Sequence, residues 1–95
     1  MSKHDEIANK LAKKFNTEYK SDKGIDLVTP EKVIEVETKK SSLSQGISQV
    51  IKSQKARYLA VNKININNAL EATKNIGIGV MNETGRIVKK ASRKK

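Results

Sequence analysis

Apolar residues recur every four positions near the start of the chain. Ile7, Leu11 and Phe15 form the stripe, Ala8 and Ala12 widen it, and Lys10, Lys13 and Lys14 lie outside it. This spacing predicts an amphipathic helix over residues 3–16. Thr17 to Lys20 fits a short strand, and Ser21-Asp22-Lys23-Gly24 fits a turn. β-Branched residues then dominate 25–28 and 32–39, with a Pro30-containing turn between them, which predicts a hairpin. Ser41 to Ser44 offer helix N-caps. A helix over 43–54 buries Leu43, Ile47, Val50 and Ile51. Residues 57–61 read as a buried strand and 65–75 as a helix with Ala69, Leu70 and Thr73 inward. A strand over 77–81, a turn over 82–85 and a strand over 86–88 complete the pattern. The order α-β-β-β-α-β-α-β-β predicts an α/β chain of the α+β kind, with a small mixed sheet and helices on both faces.

The length of 95 residues fits one domain over 1–88, followed by a flexible basic tail over 89–95. Aromatic residues make up only 3%, so the core rests on Ile, Val, Leu and Ala. Twenty basic and 10 acidic side chains give a net charge of +10, which points to a polyanionic partner, most simply nucleic acid. The candidate phosphate contacts are Lys20, Lys23, Lys40, Lys52, Lys89, Lys90, Arg93, Lys94 and Lys95. The absence of cysteine excludes disulfides and thiolate zinc sites. No apolar run approaches membrane-spanning length, and the N-terminus lacks the apolar core of a signal peptide. The expected location is cytoplasmic, in association with the nucleoid, with no membrane partner.

The chemistry concentrates in Asp26, Glu35, Glu37 and Lys39. Side chains alternate along a strand, so Glu35, Glu37 and Lys39 share one face and Ile34, Val36 and Thr38 the other. A hairpin brings Asp26 beside that charged face. Clustered carboxylates repel and are costly to desolvate, whereas a divalent cation acting on phosphates needs them. The bland alternative is an edge strand whose charges guard against aggregation. Asp26 argues against it, being an acid inside an otherwise apolar strand. Ser41, Ser42 and Ser44 read as caps rather than nucleophiles, since the only histidine, His4, lies near a terminus and reads as solvated. Tyr58 reads as core.

Gly24-Ile25-Asp26-Leu27-Val28, Ile34-Glu35-Val36-Glu37-Thr38-Lys39 and the helix Gln45-Gly46-Ile47-Ser48-Gln49-Val50 together resemble the PD-(D/E)XK nuclease superfamily. Archaeal Holliday-junction resolvases and many restriction endonucleases belong to it. The resemblance covers nearly the whole chain and implies a restriction-endonuclease-like αβββαβ core. It also implies Mg²⁺- or Mn²⁺-dependent hydrolysis of DNA phosphodiesters, possible selectivity for branched DNA, and a homodimer. Asp26, Glu37 and Glu35 would then be metal ligands, and Lys39 would neutralise transition-state charge. Two registers are open. Glu35 takes the acid position with Glu37 where the Lys is expected, or Glu37-Thr38-Lys39 satisfies acid-any residue-Lys. The first helix of many relatives contributes a Glu, for which Glu6 stands here, although Glu6 also fits a helix N-terminal acid. Gln49 either reaches the site or faces solvent. RNA is an alternative partner. The competing functions are a non-catalytic basic nucleic-acid-binding module and a small structural protein of the nucleoid or ribosome.

Overall fold

The computed structural model describes residues 2–20 and 24–92. Helix α1 (Lys3–Lys14) starts where the Ser2 hydroxyl accepts the Asp5 N–H at 3.1 Å, with Asp5 and Glu6 in its first turn. It ends two residues before the stripe suggests, because Asn16 adopts φ 56 and the Thr17 N–H closes on the Ala12 carbonyl at 2.8 Å. Thr17 to Lys20 is not a strand. The segment runs alongside β1 and is tied to it twice, by Thr17 Oγ1 to Val28 O at 2.7 Å and Lys20 N to Asp26 O at 3.1 Å.

Strands β1 (Leu27–Val28) and β2 (Lys32–Glu37) form the expected antiparallel hairpin, with Leu27 opposite Ile34. Thr29 shapes its turn, its hydroxyl accepting the Glu31 and Lys32 N–H groups. Helix α2 (Leu43–Val50), entered through a 3₁₀ turn over Lys40–Ser42, crosses to β3 (Ala56–Val61), which pairs parallel to β2. A second 3₁₀ turn (Lys63–Asn65) and α3 (Ile66–Ala72) lead to β4 (Gly79–Met81), parallel to β3. Strand β5 (Ile87–Lys89) closes the sheet antiparallel to β4. The result is a mixed five-stranded sheet in chain order with three helices.

Period-two alternation distributes the core to both faces. Ile34, Val36, Tyr58 and Ala60 pack against Ile7, Ala8 and Leu11 of α1. Val33, Leu59, Val61 and Val80 pack against Leu43 and Val50 of α2 and Ala69 of α3. Tyr58 is core, as expected, with its hydroxyl accepting the Ala91 N–H at 3.3 Å. Ile51 is not: α2 stops at Val50, and Ile51 turns out to solvent at 39% exposure. The proposed tail boundary at residue 88 falls inside β5, and Ser92 N still bonds Gly77 O at 3.0 Å. Among the described residues, no helix is long and apolar enough to cross a membrane.

Candidate functional site

Strand β1 is only two residues long because a side chain replaces its next rung. Leu27 faces Ile34, so Asp26 comes opposite Glu35 just past the end of the pairing. There the Asp26 carboxylate, through Oδ2, accepts the Val36 N–H at 3.0 Å. The Asp26 N–H in turn donates to Glu35 Oε1 at 3.0 Å. A buried N–H must find a partner, and here acid side chains supply two of them. Asp26 and Glu35 are thus locked together by the hairpin.

Glu35 and Glu37 project from β2 on the face of Leu59 and Val61, beneath α2. Asp26, Glu35 and Glu37 are all buried, at 7%, 8% and 8% exposure. Gly46 makes room for Glu37: a Cβ there would meet Glu37 Oε2 at 2.7 Å and Cγ at 2.8 Å. The helix therefore lies directly on the carboxylate.

Burial raises all three carboxyls above their ordinary values. Glu35 is pushed up to about 8, by burial first and then by the neighbouring charge on Asp26. For Asp26 the rise is offset in part by the Val36 N–H and by His4. For Glu37 it is offset in part by the Ser42 hydroxyl.

His4 is half-buried and hydrogen-bonded rather than simply solvated. Its Nε2 lies 3.1 Å from Asp26 Oδ2, and its Nδ1 lies 3.1 Å from the Tyr19 hydroxyl. Tyr19 donates to Asp5 Oδ1 at 2.7 Å, and burial followed by this carboxylate raises its own pKa. Asp5, Tyr19, His4 and Asp26 therefore form one connected polar chain from the start of α1 to the hairpin. From sequence, His4 reads as solvated, and nothing assigns Tyr19 to the site. The available signal was positional, since residues 17–20 lie against β1 and a helix beginning at residue 3 places His4 over the same edge.

The other expected site residues are exposed. Glu6 is exposed and lines a small depression with Lys3, Lys10 and Glu83, on a different side of α1 from His4. Gln49 is exposed on α2. Lys39 is exposed beyond the end of β2, at the entrance to the 3₁₀ turn. The burial of both Glu35 and Glu37 on one face leaves both motif registers structurally equivalent. Ser42 occupies the N-cap of α2 without capping the helix; its hydroxyl lies 3.0 Å from Lys39 O and is also within reach of Glu37.

Among the candidate phosphate contacts, Lys20, Lys40, Lys52 and Lys90 are exposed. Lys89 is not available for that purpose. Its ammonium donates to the Thr73 carbonyl, to Thr73 Oγ1 at 3.2 Å and to Ile76 O at 3.3 Å, closing the C-terminal end of α3. Lys23, Arg93, Lys94 and Lys95 lie outside the described residues.

In kind, the donor set fits a hard divalent cation. It offers carboxylate oxygens and no thiolate, and a cation would relieve the charge that burial and proximity penalise. In arrangement the carboxylates are already engaged. Among the described residues, no three His, Asp or Glu side chains stand together as a ready coordination shell. In comparisons with known proteins, no family, no curated protein and no solved structure matches this chain significantly.

Proposed function

We propose that this chain is a metal-dependent endonuclease that hydrolyses DNA phosphodiester bonds, built on a restriction-endonuclease-like core. The observation that carries the reading is the buried convergence of Asp26 with Glu35 on the β1–β2 hairpin, with Glu37 on the same strand face. An arrangement that costs stability without a cation is explained by one that binds a cation. A bound Mg²⁺ or Mn²⁺ would polarise the scissile phosphate and lower the pKa of an attacking water.

The chain's own residues divide the remaining work. Asp26 and Glu37, with Glu35 as a third or alternative ligand, hold the cation against the sheet. His4 and the Val36 N–H orient Asp26. Three of the chain's ten acidic side chains are buried in this cluster, so the exposed surface is more basic than the net charge of +10 suggests. That surface would track phosphates and give affinity that falls steeply with salt. The described residues form one five-stranded unit, and a unit of this kind by itself favours reading shape, such as a branch point, over a long base sequence. A symmetric homodimer would present two such sites to two strands.

One observation favours a second reading, a basic nucleic-acid-binding module without catalysis. Lys39, the expected transition-state cation, is exposed past the strand end while His4 occupies Asp26. The same experiment separates the two. Labelled four-way-junction, linear and single-stranded DNA, with an RNA arm, are incubated with Mn²⁺ and wild type or Asp26→Asn. Cleavage by wild type alone supports the nuclease. Salt-sensitive binding without cleavage by either supports the module and ends the nuclease reading.

A further inference from the structure

Ile64 is the one described large apolar side chain that the fold leaves almost bare. Val28, Ile51, Ile87 and Val88 are 39–47% exposed, which is ordinary for half-covered surface residues, whereas Ile64 is 81% exposed. It sits at the centre of the 3₁₀ turn Lys63–Asn65, directly after β3.

This turn is anchored. Asn65 is 4% exposed, and its side-chain amide donates to Thr38 O at 2.9 Å and to Asn62 Oδ1 at 2.8 Å. The Asn65 N–H closes the turn on Asn62 O at 2.9 Å. Thr38 follows Glu37 directly, so the turn that presents Ile64 is bolted to the end of the strand carrying the carboxylates. On its other flank lies Glu83, whose carboxyl is held below its usual value by Lys3 of α1, paired with it at 2.9 Å, and to a lesser extent by the Lys63 backbone. Lys3 precedes His4. Ile64 therefore stands on a rigid post at the same end of the sheet as the carboxylate site. Lys63, its neighbour in sequence, and Lys39 and Lys40, which follow Thr38, are exposed.

An apolar tip on a turn tied to a lysine-bearing strand end suits a partner whose outside is anionic and whose inside is apolar. Base-stacked nucleic acid has that character, and side chains such as Ile and Leu can be inserted between base steps, partly unstacking them. A step next to a break in stacking opens most easily. We propose that Ile64 is an apolar wedge that enters the base stack of double-helical DNA at a discontinuity such as a branch point, holding the adjoining phosphate over the carboxylate site. This rests on the nucleic-acid reading above.

The test places 2-aminopurine, whose emission rises when it is unstacked, at the branch point of a four-way junction. Wild type, Ile64→Ala, Ile64→Phe and Ile87→Ala are titrated in Ca²⁺, while binding is read separately by anisotropy and oligomeric state by sedimentation. Expected is a rise in emission with wild type, Ile64→Phe and Ile87→Ala. With Ile64→Ala the rise should fall to less than about half, as loss of a wedge requires. Affinity should fall by less than about tenfold and its salt slope should not change, since the phosphate contacts persist. Binding without a rise in emission, or a rise that Ile64→Ala retains, overturns the wedge and leaves the nucleic-acid reading standing. A change in oligomeric state with Ile64→Ala and no change in emission assigns Ile64 to a protein contact and also overturns it. Absence of any DNA binding by wild type removes both.

Discussion

The Asp26 N–H donates to Glu35 Oε1 at 3.0 Å, so two acids on facing strands share one hydrogen bond across the hairpin. The bond favours the ionised form of Glu35, yet burial and the nearby Asp26 charge dominate and push its pKa up to about 8. A carboxyl whose pKa is raised on folding binds more protons in the folded state than in the unfolded one. Its contribution is absent below the unfolded value of 4.5 and becomes fully destabilising above about 8. Stability should therefore fall as pH rises through that window, with a slope of at most about 1.4 kcal/mol per pH unit from this group. Asp26 and Glu37, also raised, add in the same direction. Urea unfolding of wild type and Glu35→Gln across this range measures it, and Glu35→Gln should flatten the slope. Mn²⁺, by favouring the ionised carboxylates, should stabilise the wild type most at the alkaline end. An unchanged slope in Glu35→Gln would show that this carboxyl titrates normally.

Asp26 has a structural duty as well as the proposed chemical one, because its carboxylate replaces a rung of the ladder by taking the Val36 N–H at 3.0 Å. Asp26→Ala leaves that buried N–H without its partner and should cost about 1–3 kcal/mol. Asp26→Asn keeps an oxygen for the same N–H, so it should cost less while removing the charge needed for a cation. The pair separates fold from site. Asp26→Asn should unfold near the wild-type urea midpoint and fail to bind Mn²⁺ by calorimetry. Retained binding would remove Asp26 from the metal site.

Much of this arrangement was legible because it follows from periodicity. Alternation along 32–39 puts Glu35 and Glu37 on one face and Ile34 and Val36 on the other, and that division holds; the structure adds that the apolar face meets α1 and the acidic one α2. Segment 17–20 was misread because an extended run beside a strand needs a backbone ladder to become one. Here Thr17 uses its hydroxyl and only Lys20 contributes a backbone bond to Asp26. His4 reads as solvated from sequence because its partners, Tyr19 and Asp26, are 15 and 22 positions away, beyond the reach of any local pattern. Glu6 is a candidate because the resemblance implies a Glu from the first helix, but α1 points it to the Glu83 side. Lys89 looked like part of a basic tail, since nothing local reveals that β5 carries it to the open end of α3.

Gly46 offers a test of where Glu37 lies. In a helix interior, replacing Gly by Ala ordinarily gains about 1 kcal/mol. At this position the added methyl would meet Glu37 Cγ at 2.8 Å and Oε2 at 2.7 Å, and Glu37 must move away. Gly46→Ala should therefore show none of the expected gain in urea unfolding. Its Mn²⁺ affinity should fall by about tenfold or more as Glu37 is displaced. A full gain in stability with unchanged affinity would mean that α2 does not rest on the carboxylate.

Lys89 and Lys90 are neighbours in sequence with opposite assignments, and together they test the basic surface. Lys90 is exposed, whereas the Lys89 ammonium is bound to Thr73 and Ile76 at the end of α3. If Lys90 contacts a phosphate, Lys90→Ala should lower the magnitude of the slope of log affinity against log salt by about 0.9 and leave unfolding unchanged. Lys89→Ala removes a charged donor from partly buried carbonyls, so it should cost about 1–3 kcal/mol in unfolding. Under conditions where it remains folded, its salt slope should match that of wild type. Anisotropy titrations on labelled duplex DNA over a range of salt, paired with urea unfolding, measure both quantities. A salt slope that changes for Lys89→Ala but not for Lys90→Ala would reverse the assignment and place the DNA track along β5 rather than beyond it.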